Sequence, residues 1–330
     1  MSGEEWSPSF TFTVFTATRN RAHTLPRVYE SLRAQTFRDF EWLIVDNESS
    51  DGTPDLVSRW QGEAPFPVRY FYQVNRGQQG SRNRAVAEAR GELFLTLDSD
   101  DSCPPTTLER FKAHWDSIPE EVRPRFSGVT GHTVDEHGNR NGSDFPIDPT
   151  DSNSLEIRLK HKVTGEKFGF QRTAVMREFP LPEIEGYTGL MPNSLAWNAI
   201  ARKYMTRYVN DDLKTYYTDE VVSLSRPTDY LQDFPGHMLE ARSVIVDDLR
   251  WFPFAPWTFY LKAAKYSRSA FHAGLSPAAQ FRDVARPGTR LLWFAALPLG
   301  YLIYVAERLG FAHLLPGPRE RNIARPRRTS

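Results

Sequence analysis

Three short apolar segments recur in the first hundred residues, and stretches with helical periodicity separate them. The strand candidates are residues 11–15, 41–45 and 93–97. After the first of them, apolar residues follow the i, i+3, i+4, i+7 spacing of a packed helix face, at Leu25, Val28, Tyr29 and Leu32. A second helix is predicted to begin at residue 53, before a proline, and a third to run over about 81–89. This β-α-β-α-β order predicts an α/β fold with a parallel sheet.

Polar residues follow each of the three predicted strands. They are residues 16–20, the pair 46–47, and the acidic sequence Asp-Ser-Asp-Asp at 98–101. The carboxyl ends of parallel strands meet at one edge, where open α/β sheets bind nucleotides. Clustered carboxylates repel one another, so a divalent cation with oxygen ligands, Mg²⁺ or Mn²⁺, would stabilise them and hold a phosphorylated ligand. The alternative is a solvated acidic turn before a helix that starts near Pro104.

The rest of the chain falls into two further regions. The composition of residues 121–160 predicts turns and short antiparallel strands. Regular secondary structure is predicted again within 163–233, with a turn at 182–189, a helix at 194–204 and short strands at 206–210 and 213–217. Beyond them, aromatic residues concentrate at 251–260, and an uncharged run at 291–306 is interrupted by Pro298. These changes in composition along the chain predict a flexible tail at 1–9, two halves of one domain at 10–120 and 121–245, and a helical extension at 246–330.

Composition narrows the class of protein. The 330 residues include 41 basic and 41 acidic side chains, so no overall field favours nucleic acid, although 319–328 is locally basic. The N-terminus has no secretory pattern, which leads us to expect a cytoplasmic protein. Cys103 is the single cysteine and cannot form an intramolecular disulfide. Neighbouring carboxylates would raise its pKa, so we expect a structural thiol.

The dinucleotide motif G-x-G-x-x-G and the P-loop motif are both absent, so phosphate must be bound in another way. Five ordered segments resemble the family 2 glycosyltransferases, whose catalytic domain has the GT-A fold. They are TATRNRA at 16–22, SLRAQTFRDFEW at 31–42, IVDNESSDGT at 44–53, NRG at 75–77 with SRN at 81–83, and LDSDD at 97–101. The resemblance covers about residues 10–115 and continues more loosely to about 240, through 165–168, 182–186 and 197–198.

The resemblance implies a GT-A fold with a Rossmann-like nucleotide-binding half and a mixed central sheet, to which the composition beyond residue 245 adds a partly hydrophobic C-terminal helical segment. It implies that 10–120 binds a nucleotide sugar and 121–245 the acceptor. The implied nucleoside contacts are Thr16, Thr18 and Arg19, with Asp46 and Asn47 at the base and Asp98 near the ribose. Asp100, with Asp101, would bind Mg²⁺ or Mn²⁺, and His237 is a candidate late metal ligand. Arg82 and Asn83 are candidate diphosphate ligands or ordinary surface residues.

The family reaction inverts the anomeric carbon in one displacement, which requires a base near the acceptor hydroxyl. Related sequences often have an acid just before the helix that carries the Trp-Asn pair, but this chain has Asn193 there. Glu185 is our candidate base, and Glu183, Asp211 and Asp212 remain alternatives. Asn47 also stands where relatives commonly have Asp, which leaves a preference for uracil open.

The resemblance therefore predicts an enzyme that moves a sugar from a nucleoside diphosphate-sugar to a hydroxyl of a glycan or lipid-linked saccharide. The alternatives are a nucleotidyltransferase, and a catalytically silent GT-A module that binds a nucleotide sugar. The aromatic segment, the uncharged run and the terminal arginines favour an anchor at the inner face of a membrane. The uncharged run, about 24 Å long as a helix, is too short for a simple span. A core helix or a dimer contact is the alternative.

Overall fold

The strands form one mixed sheet, and its parallel part carries the predicted nucleotide-binding edge. A computed structural model describes residues 7–218 and 233–311. The strands are β1 Phe10–Thr18, β2 Phe40–Asn47, β3 Val68–Gln73, β4 Gly91–Thr96, β5 Phe126–Asp135, β6 Thr150–Ser152, β7 Lys167–Arg172 and β8 Met205–Tyr216. Their order in the sheet is β3-β2-β1-β4-β7-β5-β8-β6. The first four of that order are parallel, and β7 runs antiparallel to both β4 and β5.

Helices cover both faces of this sheet. The helices of the first unit are α1 Leu25–Arg33, α2 Thr53–Glu63, α3 Gly77–Glu88, α4 Thr107–Asp116, α5 Ser154–Leu159, α6 Thr173–Glu178 and α7 Ser194–Ala201, and a short 3-10 helix spans Arg123–Arg125. The period-2 alternation within the strands divides the core. Phe12 and Val14 of β1 pack in one cluster with α1, α2 and α4, while Phe15 packs in the other with α3, α6 and α7.

The chain divides into two compact units, Met1–Asp229 and Tyr230–Ser330. The described part of the second unit contains α8 Phe234–Asp247, the 3-10 helix Leu249–Phe254, α9 Pro256–His272, α10 Pro277–Asp283 and α11 Pro287–Arg308. Its core includes Ala264, Tyr266, Trp293 and Ala296 from α9 and α11. The predicted tail lies largely, and the basic stretch at 319–328 wholly, outside the described residues.

The α/β order and the three predicted strands are confirmed, and the differences lie in the elements between them. The sequence missed β3, β7 and α6, and α3 begins at Gly77 rather than near residue 81. The two short strands predicted at 206–210 and 213–217 form the single strand β8. It stays continuous because the pairing of β5 with β8 shifts register between Thr130 and His132.

The predicted interruption of the C-terminal run at Pro298 is wrong. Helix α11 continues through Pro298 for 22 residues, about 33 Å at the usual rise per residue. It is long and apolar enough to cross a membrane by length and composition, with 22% of the most apolar window buried. The expectation that this run is too short to span is therefore corrected, and length alone does not separate a span from a surface helix.

Candidate active site

The ends of β1, β2 and β4 meet at one edge of the sheet, as predicted. Thr18 pairs with Asp46 across β1 and β2, and Phe15 pairs with Thr96 across β1 and β4. The acidic turn at 98–101 follows directly after β4. The polar segments after these three strands are therefore neighbours in space and form the candidate site.

The side chains predicted to face a base are buried and hydrogen-bonded within the protein. Asp46 accepts hydrogen bonds from the Ser49 amide at 2.8 Å and from the Tyr70 hydroxyl at 2.5 Å. Burial is the larger cause, and the hydrogen bond to Asp46 the next, of a raised pKa for Tyr70, so the phenol stays protonated as the donor. Asp46 is 0% exposed. It thus organises the loop after β2, and its fully buried side chain is not accessible to a base in this conformation.

Asn47 links the loop after β2 to the start of α3. Its Oδ1 accepts from Gln73 Nε2 and from the Arg76 amide, each at 3.1 Å, and its Nδ2 donates to Asn75 Oδ1 at 2.5 Å. Gly77 follows with φ +69°, where a Cβ would lie within 2.6 Å of the Gln79 amide group. The N-R-G motif is therefore explained by this tight turn, which begins α3 at the sheet edge.

The three predicted nucleoside contacts from the first motif differ in exposure. Thr16 is fully buried, and its hydroxyl accepts from Trp42 Nε1 at 3.0 Å, so it supports the core. Thr18 is 3% exposed, and its hydroxyl has no hydrogen-bond partner in the part of the chain that the structure describes. Arg19 is exposed and lies 4.0 Å from Glu48. Of these, Thr18 and Arg19 have hydrogen-bonding capacity left for a ligand.

Arg82 is a buried cation on α3 with few protein partners. It is 5% exposed, its Nη2 lies 3.5 Å from Met176 Sδ, and its guanidinium lies 4.8 Å from the ring centre of Trp197. Its Nε and Nη1 have no hydrogen-bond partner among the described residues. Burial lowers the pKa of Arg82 to about 10, so it remains charged at neutral pH. A buried guanidinium with free donors can bind an anion.

The side chain of Asn83 is hydrogen-bonded to the loop that carries the candidate base. Its Nδ2 donates to Leu181 O at 2.8 Å and to Glu183 Oε1 at 2.9 Å, and its Oδ1 accepts from the Leu181 amide. Glu183 also pairs with Arg76 Nη2 at 2.5 Å. Asn83 and Glu183 therefore hold this loop against α3. Glu185, by contrast, is exposed and lines a cleft of about 340 Å³ with Asn75, Arg76 and residues 183–188.

The other candidate bases are in ion pairs. Asp211 lies 2.5 Å from Arg110 Nη2 and 2.8 Å from His114 Nε2, and Asp212 lies 2.7 Å from Arg140 Nε. The Asn193 side chain, at the position where relatives often have an acid, has a buried Oδ1 without a hydrogen-bond partner in the described part of the chain. An amide at this position cannot accept a proton usefully.

The acidic turn surrounds a lysine that the sequence analysis did not single out. Lys214 of β8 is 2% exposed, and its Nζ lies 2.6 Å from Asp101, 2.6 Å from Glu166 and 3.2 Å from Asp98. Burial by itself lowers the pKa of Lys214, but these carboxylates raise it above its ordinary value. Arg27 fixes the same turn by donating to Asp100 O at 2.7 Å.

A divalent cation fits the chemistry of this turn, since all the candidate ligands are oxygens. One carboxylate oxygen each of Asp98, Asp101 and Glu166 lie within 4.8 Å of one another. Lys214 already occupies the middle of these three carboxylates, however, and Asp101 is buried against it. Asp98 is 46% exposed and has capacity for a cation. His237 lies in the first turn of α8 in the second unit, and burial, with Lys265, lowers its pKa to about 4.

Comparison with solved structures identifies the fold. The chain matches S. aureus TarS 1–349 in complex with UDP-GlcNAc, with a TM-score of 0.58 and 19% identity over 91% of this chain and 92% of that one. It also matches the mannosyltransferase PcManGT from Pyrobaculum calidifontis in complex with GDP-Man and Mn²⁺, with a TM-score of 0.50 and 18% identity over 93% of this chain and 92% of that one. At these identities the likeness shows the fold alone. It is the predicted GT-A fold.

Comparison of sequences identifies the family. The chain is 33% identical over 90 residues to a cholesterol galactosyltransferase of Borreliella burgdorferi, covering 27% of this chain and 25% of that protein. The matched segments span about a quarter to a third of the length of such curated relatives. The family model described as "Glycosyl transferase family 2" matches residues 13–179, about half of the chain. The chain therefore belongs to glycosyltransferase family 2.

Proposed function

We propose that this protein transfers a sugar, with inversion, from a nucleoside diphosphate-sugar to a hydroxyl of a glycan or lipid-linked saccharide. The observation that carries the proposal is Arg82 on α3, a buried guanidinium whose Nε and Nη1 have no hydrogen-bond partner among the described residues. Such a group is costly unless an anion compensates it, and a diphosphate is the anion that family 2 donors carry. Thr18 at the end of β1, whose hydroxyl has no hydrogen-bond partner within residues 7–218 and 233–311, supports the same assignment.

We assign the other groups by their contacts. Asp98 and Asp100 are the proposed ligands of Mg²⁺ or Mn²⁺, while Asp101 is held by Lys214. When bound, the cation would offset the negative charge that develops on the leaving diphosphate. Glu185 is the proposed base because it is exposed in a cleft, whereas Glu183, Asp211 and Asp212 are in ion pairs.

Donor binding tests the proposal directly. In a thermal-shift titration of UDP-, GDP-, dTDP- and CMP-sugars with Mn²⁺, we expect one nucleotide class to raise the melting temperature. Arg82→Gln should abolish that shift, because it removes the buried cation. Arg84→Gln is the matched control, since Arg84 lies on the same helix and donates to Tyr72 O. Equal shifts for Arg82→Gln and wild type would contradict the assignment.

A silent GT-A module is the second candidate, and Asn193 at the usual place of the acid is the observation that favours it. Such a module would bind the donor without releasing a nucleoside diphosphate in the presence of any acceptor. A nucleotidyltransferase would release pyrophosphate instead. Product analysis by ion-exchange chromatography therefore separates all three functions.

We also propose that the second unit contacts a membrane surface at the cytoplasmic side. The outward positions of α11 between Arg290 and Arg308 carry no charge and include Leu291, Phe294 and Leu302, which are 65–74% exposed. The opposite side of the helix is packed, with Trp293 and Ala296 buried at 3% and 0%. A helix fixed along one side in its own unit suits the interface plane better than a span.

A further inference from the structure

A second cleft lies on the sheet face covered by α5 and α7. We name it the α5–α7 cleft. Its volume is about 330 Å³, and its lining includes Arg158, Lys167, Gln171, Ser194 and Trp197. This volume falls in the range of small-molecule sites, about 300–1,000 Å³. Nothing assigned above to the donor, the metal or the base occupies this cleft.

The α5–α7 cleft opens beside the candidate active site. Strand β7 runs antiparallel to β4, with Phe170 opposite Leu95, so Lys167 at the start of β7 lies at the end of β4 from which the acidic turn follows. The residue before it, Glu166, contacts Lys214 at 2.6 Å. Trp197 lies against the Arg82 guanidinium at 4.8 Å. The cleft therefore shares its wall with the proposed diphosphate ligand.

The charge of the α5–α7 cleft is positive. Its described lining residues include two cations, Arg158 and Lys167, and neither Asp nor Glu. Arg158 is exposed at the mouth, and its Nη2 donates to Asn198 Oδ1 at 3.2 Å, which fixes its direction because Asn198 is 1% exposed. Lys167 contacts three backbone carbonyls, of which Thr164 O is nearest at 2.7 Å. Carbonyl dipoles orient this ammonium; burial, with Arg140, lowers the pKa of Lys167 to about 8, so it remains mostly protonated at neutral pH.

One buried polar group in the cleft lacks a partner. Gln171 is 8% exposed, and its Oε1 has no hydrogen-bond partner in the described part of the chain. Buried polar atoms are nearly always hydrogen-bonded, so an unpaired amide oxygen in a cleft indicates a ligand that donates an N–H or O–H. The indole of Trp197 adds an apolar wall. Hydroxyl donors, an apolar face and a negative charge are together the features of an anionic sugar.

We propose that the α5–α7 cleft binds a sugar residue of the acceptor that carries a phosphate or a carboxylate. This inference rests on the proposed transferase function and specifies its substrate class. Arg158 binds the anionic group at the mouth, Lys167 adds positive charge, and Gln171 accepts from a sugar hydroxyl. Arg158 and Gln171 are thus specificity residues, and neither takes part in the bond exchange.

Ligand-observed NMR with the full chain and excess UDP tests the proposal. The probes are glucose 6-phosphate, glucuronic acid and glucose, so the first two separate a phosphate from a carboxylate as the preferred group. We expect at least one anionic sugar to bind on the order of tenfold more tightly than glucose, as loss of a charged hydrogen bond implies. Arg158→Gln should remove this preference, and Lys160→Gln, an exposed lysine two residues away that pairs with Glu156, should retain it.

A second variant separates ligand binding from folding. Gln171→Leu removes a buried acceptor that has no partner among the residues the structure describes, so we expect an unchanged or higher melting temperature and weaker binding of every sugar. Equal binding of glucose and the anionic sugars, no sugar binding at all, or identical behaviour of Arg158→Gln and Lys160→Gln would each overturn the proposal. Anionic sugar binding without any nucleotide-sugar binding in the thermal-shift assay would instead refute the transferase function.

Discussion

Replacing Lys214 by Met removes the positive charge at the centre of the acidic turn while keeping most of the side-chain volume. The ammonium is 2% exposed and contacts Asp98, Asp101 and Glu166 within 3.2 Å. Without it, three carboxylates repel one another across less than 4.8 Å. Removing one partner of a buried ion pair typically costs about 3–5 kcal/mol, because the remaining charge is left uncompensated.

The exposure of each carboxylate decides where in this range Lys214→Met falls. The side chains of Asp98 and Glu166 are 46% and 49% exposed, so water can solvate them. The penalty therefore falls mainly on Asp101, which is 9% exposed. We expect the lower limit, about 3 kcal/mol, which lowers the melting temperature of a unit of this size by roughly 6–12 °C.

Differential scanning calorimetry with and without Mg²⁺ measures the effect. In the variant, the oxygens of Asp98, Asp101 and Glu166 can bind Mg²⁺ in place of the ammonium, so we expect Mg²⁺ to raise the melting temperature of Lys214→Met more than that of wild type. Adding Asp101→Asn should recover part of the lost stability. Lys112→Met is the control, since Lys112 forms an exposed pair with Asp116 worth about 0.3–0.5 kcal/mol. A melting temperature for Lys214→Met equal to that of the control would refute the reasoning.

Three further predictions concern the base, the thiol and the membrane. Glu185→Gln should leave donor binding intact and lower kcat by about 10²–10⁴. Turnover by this variant equal to that of wild type would show that another residue is the base. Glu183→Gln, in contrast, should lower the melting temperature because it breaks the ion pair with Arg76. Burial raises the pKa of Cys103 to about 12. Its thiolate fraction at pH 8 is thus ~10⁻⁴, so iodoacetamide should label the native protein far more slowly than the protein in urea, and equal rates would contradict this. Phe294→Glu should reduce co-sedimentation with anionic phospholipid vesicles and leave the melting temperature unchanged, because the side chain is 67% exposed; undiminished co-sedimentation would exclude this face of α11.

The parallel half of the sheet was predictable because its signals are local. Phe12, Val14 and Phe15 carry the alternation of a two-faced strand within a few residues, and the polar ends of the strands need only the parallel arrangement to meet at one edge. Strand β3 was missed although its sequence is rich in aromatic residues. It is an edge strand of this sheet, and its side chains are mostly half-buried, so its apolar pattern is weaker than that of the central strands.

The composition of the candidate site was less predictable, because several of its contacts join residues far apart in sequence. Lys214 and Asp98 are separated by 116 positions, and Arg82 is buried only because α6 and α7 bring Met176 and Trp197 against α3. From the sequence alone, a lysine within a strand is expected to be solvated. Only the order of the strands in the sheet places Lys214 beside the acidic turn. The same sheet order explains why motif residues such as Asn83 support a loop: a motif marks a position in the fold, whereas the burial and bonding of each side chain decide whether it is available to a ligand.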